Sequence, residues 1–297
     1  MPVLYLVVVV AAVSLSLAAP VVADEAYYNY ILGACQKSSF RCSDSVDVCY
    51  PFFLANATSV IEGDTAYAES YCGYPGMPIA CEGGRATQKL KGDSYTVLDI
   101  DYGNHTLMVA EADALSGGEC PWVTRNPVNN PRSRTCSWLN LSDTANDNLV
   151  FFFDCVFTAA TPRPPSALLP INCSSLPERD RVSYVVDEPD LSAQDEWPLA
   201  CKEPVVVPVL KDRLLSPDED YLSRLNSDGY GQLLKQGFQL TWDPTAGPCF
   251  LCEQSKGQRG YNQSGEFVGC LCSDGSVHSP DCGLQDLQAQ SGKSQHI

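Results

Sequence analysis

The segment Cys249-Phe-Leu-Cys252-Glu-Gln-Ser255-Lys-Gly257-Gln-Arg259-Gly260-Tyr261, followed by Phe267-Val-Gly-Cys270-Leu-Cys272-Ser-Asp274-Gly275, sets the terms on which this chain folds. Four of the chain's fifteen cysteines fall in it. At the other end, Met1 to Pro20 is apolar, uncharged and too short to span a bilayer comfortably. Val21-Val22-Ala23 offers the small residues a signal peptidase reads, so cleavage is expected before Asp24. An export leader ahead of many cysteines predicts an extracellular protein stapled by disulfides. Five sequons agree with that compartment: Asn56, Asn104, Asn140, Asn172 and Asn262.

Four thiolates spaced like Cys249, Cys252, Cys270 and Cys272 would also suit tetrahedral Zn²⁺. An oxidising compartment consumes thiols in disulfides first, so no metal site is expected. On a strand Cys270 and Cys272 share a face, and each is expected to reach a separate partner. A redox role for Cys249-x2-Cys252 lacks the βαβ context it needs.

Around Thr158 to Pro170 four prolines forbid helix and central strand alike, so 160–170 reads as a linker. It leaves Cys35, Cys42, Cys49, Cys72, Cys81, Cys120, Cys136 and Cys155 before it. Cys173, Cys201, Cys249, Cys252, Cys270, Cys272 and Cys282 follow. The boundaries expected are a leader over 1–23, a first cysteine-rich domain over 24–159, a second over 171–282, and a polar tail over 283–297.

Strand signals dominate. Residues 94–102 and 105–110 read as a hairpin turning at Gly103-Asn104, with alternation good on one face and mixed on the other. Leu149 to Phe157 reads as a strand buried on both faces. Residues 181–186 and 203–210 read as strands, the second an edge because of its prolines. Residues 218–237 read as helix, broken near Gly229 and ending at Gly237, before an extended 238–242. The predicted class is mainly β and disulfide-rich: two small extracellular modules with one or two short helices.

The ordered series Cys35-x6-Cys42, Tyr50-Pro51-Phe52, Cys72-Gly-Tyr74-Pro-Gly-Met77-Pro-Ile79-Ala-Cys81 resembles the galacturonan-binding domain of plant wall-associated receptor kinases. Gly237-Phe238-x3-Trp242 and the opening segment resemble the cysteine-rich module C-terminal to it, nearest to the leaf-rust-resistance-type subgroup. The resemblance implies an ectodomain. In that family a membrane helix and a kinase follow; neither is recognised in this sequence, so a free ectodomain is expected, either a separate gene product or a shortened form. The family pattern places a cysteine where Arg259 stands, which implies one unpaired thiol among the last seven cysteines, or an intermolecular disulfide. Cys49 and Cys136 are additional to the family set and are expected to pair with each other.

Function classes narrow accordingly. A formal charge of −17 argues against nucleic-acid binding. Three histidines, none in a nucleophile's setting, and no phosphate-cradling loop argue against catalysis. Asp99 and Asp101 make a carboxylate pair of the kind a glycosidase uses, but an acidic protein carries many such pairs on solvated faces. The expected function is non-catalytic binding of pectin in the cell wall, without cofactor, unless Ca²⁺ bridges the carboxylates. An acidic protein holding a polyanion needs a local basic face, for which Arg85, Lys89, Lys91, Arg125, Arg132 and Arg134 are the candidates. Tyr74 and Trp122 are candidate platforms for sugar rings. The alternative is a protein-interaction module, a decoy or co-receptor for membrane-bound receptor kinases.

Overall fold

The computed structural model describes residues 40–43, 45–55, 70–90, 92–118, 121, 123, 138–166, 168, 170–171, 182–192, 194–214, 229–245, 250–262 and 266–283. The strands in chain order are β1 (Phe40–Arg41), β2 (Asp47–Val48), β3 (Phe53–Leu54), β4 (Ser70–Cys72), β5 (Pro78–Glu82), β6 (Arg85–Leu90), β7 (Asp93–Asp101) and β8 (Thr106–Glu111). They continue with β9 (Leu139–Leu141), β10 (Asn146–Cys155), β11 (Val182–Asp187), β12 (Val205–Leu210), β13 (Phe238–Trp242), β14 (Gln258–Asn262), β15 (Phe267–Leu271) and β16 (Val277–His278). The helices are α1 (Ala112–Ser116), α2 (Lys211–Leu214), α3 (Gly229–Gln236) and α4 (Phe250–Gln254). The fold is mainly β, with more short helices than the one or two expected.

The hairpin at Gly103-Asn104 forms as expected, and its mixed alternation has a cause. The β7–β8 ladder slips between Val97 and Asp99, which re-phases the strand. Tyr95 and Val97 before the slip, and Ile100 and Tyr102 after it, therefore all pack on one core. Asp101 closes the turn: its Oδ1 accepts the backbone N–H of Gly103 at 2.9 Å and of Asn104 at 3.0 Å. That carboxylate is a turn cap.

β7 and β8 lie inside a seven-stranded sheet of order β3-β5-β6-β7-β8-β13-β9. Its core joins Leu107 and Val109 of β8 to Phe238, Leu240 and Trp242 of β13, over Phe52 and Met77. Burying an apolar side chain of this size contributes roughly 1.5–3 kcal/mol. β13 follows α3 through Gly237, whose φ of 73° and N–H bond to the Leu234 carbonyl end the helix as expected. A Cβ there would lie 2.1 Å from the Val109 carbonyl oxygen, so glycine also permits the close approach of β8. α3 begins at Gly229; the rest of the expected helix, 218–228, lies outside the described residues.

The aromatic run Phe151-Phe152-Phe153 is the centre of a second sheet, β11-β10-β12, covered on both faces. Phe151 and Phe153 face α3, with Phe151 edge-on to Tyr230 at 5.4 Å. Phe152 faces the other way, onto Trp197 at 4.8 Å. Both β12, an edge carrying Pro208, and β11 occur where the sequence predicts them. Asn146 ties this sheet to the first: its amide donates to the carbonyls of Ser142 and Gln239 and accepts the Gln239 N–H at 2.8 Å. It completes the ladder much as a strand residue would.

The third sheet, β16-β15-β14-β4, and a two-stranded β1–β2 ribbon complete the set among the described residues. The Pro-rich segment divides the sequence, but it does not divide the sheets. β13 pairs with β8 and β9, β14 pairs with β4, and β10 pairs with β11 and β12. Nor is that segment a free tether. Phe157 and Leu168 pack on the Tyr184 and Trp197 cluster.

Four disulfides join Cys42–Cys81, Cys155–Cys201, Cys252–Cys270 and Cys272–Cys282. Cys270 and Cys272 do reach separate partners, Cys252 and Cys282. Cys72 is disulfide-bonded as well. The expected Cys49–Cys136 pair is corrected: Cys49 is a free, half-buried thiol. It is held beside Tyr102, whose hydroxyl accepts the Cys49 backbone N–H at 2.7 Å. Cys35, Cys120, Cys136, Cys173 and Cys249 lie outside the described residues, as do the leader and the tail beyond Gly283.

Candidate functional site

β6 alternates strictly: Ala86 and Gln88 are buried, while Arg85 and Lys89 are exposed with Thr87 between them. Gln88 holds the inner side by donating from Nε2 to the carbonyls of Gly76 and Lys89, each at 3.1 Å. The outer side is therefore a stripe of guanidinium, hydroxyl and ammonium on one rigid strand, spanning roughly 13 Å at 3.3 Å per residue. Its register sets Thr87 between Ala80 of β5 and Thr96 of β7, and Lys89 opposite Ser94. Glu82 lies opposite Arg85. Neither Arg85 nor Lys89 enters an ion pair among the described residues. Both charges remain available to an anion.

The other candidates divide. Lys91, Arg125, Arg132, Arg134 and Trp122 lie outside the described residues. Tyr74 is corrected: it is buried and cannot present a face to a sugar. Its ring packs at 4.6 Å on Trp138 and edge-on at 5.8 Å to Tyr50. Its hydroxyl donates to Glu253 Oε1 at 2.6 Å, as does that of Tyr50. Burial first, and then Glu253, push both hydroxyls well above the ordinary tyrosine range.

At the centre of that cluster stands Arg259, at 0% exposure. Its guanidinium lies 5.0 Å from the Tyr74 ring centroid and 5.5 Å from that of Trp138. Nη2 donates to Glu253 Oε2 and to the Pro244 carbonyl, both at 2.8 Å. Its backbone N–H donates to the Tyr50 hydroxyl at 3.0 Å, and its carbonyl accepts from Gly73. Tyr74, Trp138, Pro244 and Glu253 meet on this one side chain, while Tyr50 and Gly73 hold its backbone. The sequence shows Arg259 only as a departure from a cysteine pattern; nothing in its spacing signals a buried cation.

Of the sequons, Asn104 is exposed in the β7–β8 turn, where its amide donates to Asp101 Oδ2 at 2.7 Å. Asn140 is exposed at the centre of β9, the last strand of its sheet. Asn262 closes β14, while Asn56 and Asn172 lie outside the described residues. Among the described residues no helix is long and apolar enough to cross a membrane.

The family model described as wall-associated receptor kinase galacturonan-binding matches residues 35–111, and that described as wall-associated receptor kinase C-terminal matches 172–275. The chain thus carries both of the regions that these wall-associated receptor kinase models describe. It is similar to three Arabidopsis thaliana proteins named leaf rust 10 disease-resistance locus receptor-like protein kinase-like. Likeness to 1.2 is 29% identity over 84% of this chain, and to 2.1 it is 23% over 84%. Likeness to 2.8 is 26% over 85%. The chain spans only 34%, 35% and 25% of the lengths of these relatives. No solved structure matches it.

Proposed function

We propose that this chain is a secreted, non-catalytic ectodomain that holds de-esterified pectin across the outer side of β6. The observation that carries the reading is the unpaired stripe Arg85-Thr87-Lys89, exposed within the galacturonan-binding region of a chain whose net charge is −17. Guanidinium suits a carboxylate bidentately, ammonium meets it as a point charge, and the hydroxyls of Thr87 and Ser94 suit sugar hydroxyls. Because the contacts lie on an exposed face, salt weakens them. Glu82 beside Arg85 penalises the polyanion, and Ca²⁺ bridging is the route by which such a carboxylate would join the binding instead. Lys91, Arg125, Arg132 and Arg134 are proposed to extend the basic face. The five sequons are proposed to carry N-glycans.

The test is binding of the glycosylated, exported protein to de-esterified and methyl-esterified galacturonan oligomers across a salt series, with and without Ca²⁺. Arg85→Glu with Lys89→Glu is expected to weaken the de-esterified complex at least about tenfold, the scale of one charge-assisted contact. Unchanged binding would sink this face.

A second reading, a module that docks on membrane-bound receptor kinases, is favoured by one feature. Leu199 (85% exposed) and Val156 (48% exposed) flank the Cys155–Cys201 bond, and the Val156 N–H bonds to Ala200. Cross-linking to a relative's ectodomain, lost in Leu199→Asp, tests it. Cys49 does not add to this reading, because burial holds its thiol above its ordinary value and keeps it out of the reactive thiolate form.

A further inference from the structure

The Pro-rich segment lies against β11 and lines an open cleft of ≈ 360 Å³, with Phe157, Pro164, Pro165, Leu168 and Tyr184 among its walls and Arg163 at its lining. None of its lining residues belongs to β6. Among the described residues no acidic side chain lines it, in a chain where carboxylates greatly outnumber cations. Arg163 is exposed and forms no ion pair among the described residues. Its charge reaches Tyr184, whose hydroxyl burial pushes up and Arg163 pulls back.

The walls are set before any ligand arrives. Thr158 and Thr161 lock the start of the loop, with the Thr158 N–H bonded to Thr161 Oγ1 at 2.7 Å. The Leu168 N–H bonds to the Pro165 carbonyl at 2.9 Å, and Phe157 meets Tyr184 edge-on at 6.1 Å. The Cys155–Cys201 bond anchors the strand from which the loop departs. Prolines add stiffness, so little ordering is left to be done on binding. The side chains of Phe157, Pro164, Pro165 and Leu168 beside one guanidinium are complementary to a ring that bears a carboxylate, and the volume falls within the range of small-molecule sites.

We infer that this pocket binds a single six-membered ring carrying one carboxylate, stacked on the Phe157 and proline walls and paired with Arg163. Two sources supply that chemistry, a uronic acid and an aromatic acid. Calorimetric titration of the whole exported protein with galacturonate, galacturonate methyl ester, galactose, 4-hydroxybenzoate and 4-hydroxybenzyl alcohol separates them. At least one acid is expected to bind about tenfold or more tightly than its neutral counterpart, and Arg163→Gln is expected to abolish that preference. Preference for galacturonate identifies the sugar source, and preference for 4-hydroxybenzoate the aromatic one. Because Arg163 is exposed, Arg163→Gln should keep the melting temperature of the parent, which separates lost binding from lost fold. Equal binding of acids and neutral rings, or an unaltered preference in Arg163→Gln, overturns the inference. Loss of monosaccharide binding in Arg85→Glu with Lys89→Glu would also overturn it, by placing the ligand on β6. Failure of the β6 proposal would leave the pocket result standing, since that assay reads polymer.

Discussion

Arg259 lies wholly inside the fold, between two aromatic rings and against Glu253, while Arg85 and Lys89 lie on the exposed side of β6 with no ion-pair partner among the described residues. The residue type is nearly the same and the uses are opposite. Inside, the guanidinium is spent on the protein itself: its charge on a carboxylate, its Nη2 on that carboxylate and a carbonyl, its faces on Tyr74 and Trp138. Outside, the same features are held in position by β-pleat geometry and left unspent. A cation's contribution to binding is therefore decided by what its neighbours have already taken from it, and a count of basic residues cannot show that.

The largest expected effect is at the buried end. Arg259→Met removes one partner of a buried ion pair and should cost about 3–5 kcal/mol in denaturant unfolding. A loss below about 1 kcal/mol would erase the contrast. The second effect is alkaline. The Tyr50 and Tyr74 hydroxyls are raised above the ordinary tyrosine value, and burial raises that of Tyr230 to about 12. A raised folded-state pKa contributes stability that is intact below about pH 10 and lost as pH climbs through the folded value. Unfolding monitored from pH 8 to 12 should show stability falling above pH 10, and a flat profile would mean the cluster is looser than its distances indicate.

Arg259→Lys keeps the charge but not the planar fork, so a loss of about 1–3 kcal/mol is expected, smaller than for methionine. If lysine and methionine cost the same, shape rather than charge is what this site needs. Smallest of all, Arg85→Gln with Lys89→Gln should change stability by less than about 0.5 kcal/mol while weakening galacturonan binding. A large stability loss there would mean the stripe is structural, and the comparison would collapse.

Local order was legible in the sequence. The β7–β8 hairpin follows from alternation and a turn dipeptide, and the doubly buried β10 from its three consecutive phenylalanines. The edge character of β12 follows from Pro208, and the stop at Gly237 from the residue that ends it. What stayed hidden has a common physical character: it depends on who meets whom across long separations. Leu98 looks like any strand residue, yet the slip around it decides which side chains reach the core. Asn146 reads as polar surface and is a buried surrogate strand partner for Gln239. Tyr74 sits beside a cysteine like a surface aromatic, and only the arrival of Glu253 and Arg259 from the far end of the chain buries it. The basic stripe was half legible, because strand period predicts that Arg85 and Lys89 share a face but not that their neighbours leave them unpaired.

The insertion of β13 between β8 and β9 has a consequence for how the molecule is made. A ribosome delivers β8 and β9 long before Phe238–Trp242, so β8 waits with one edge bare and β9 with no partner in this sheet. Closure of the seven-stranded sheet is then a late, long-range event, of the kind that folds slowly and exposes edges to aggregation. Cutting the gene at the Pro-rich segment would yield two fragments, neither able to finish its own sheet.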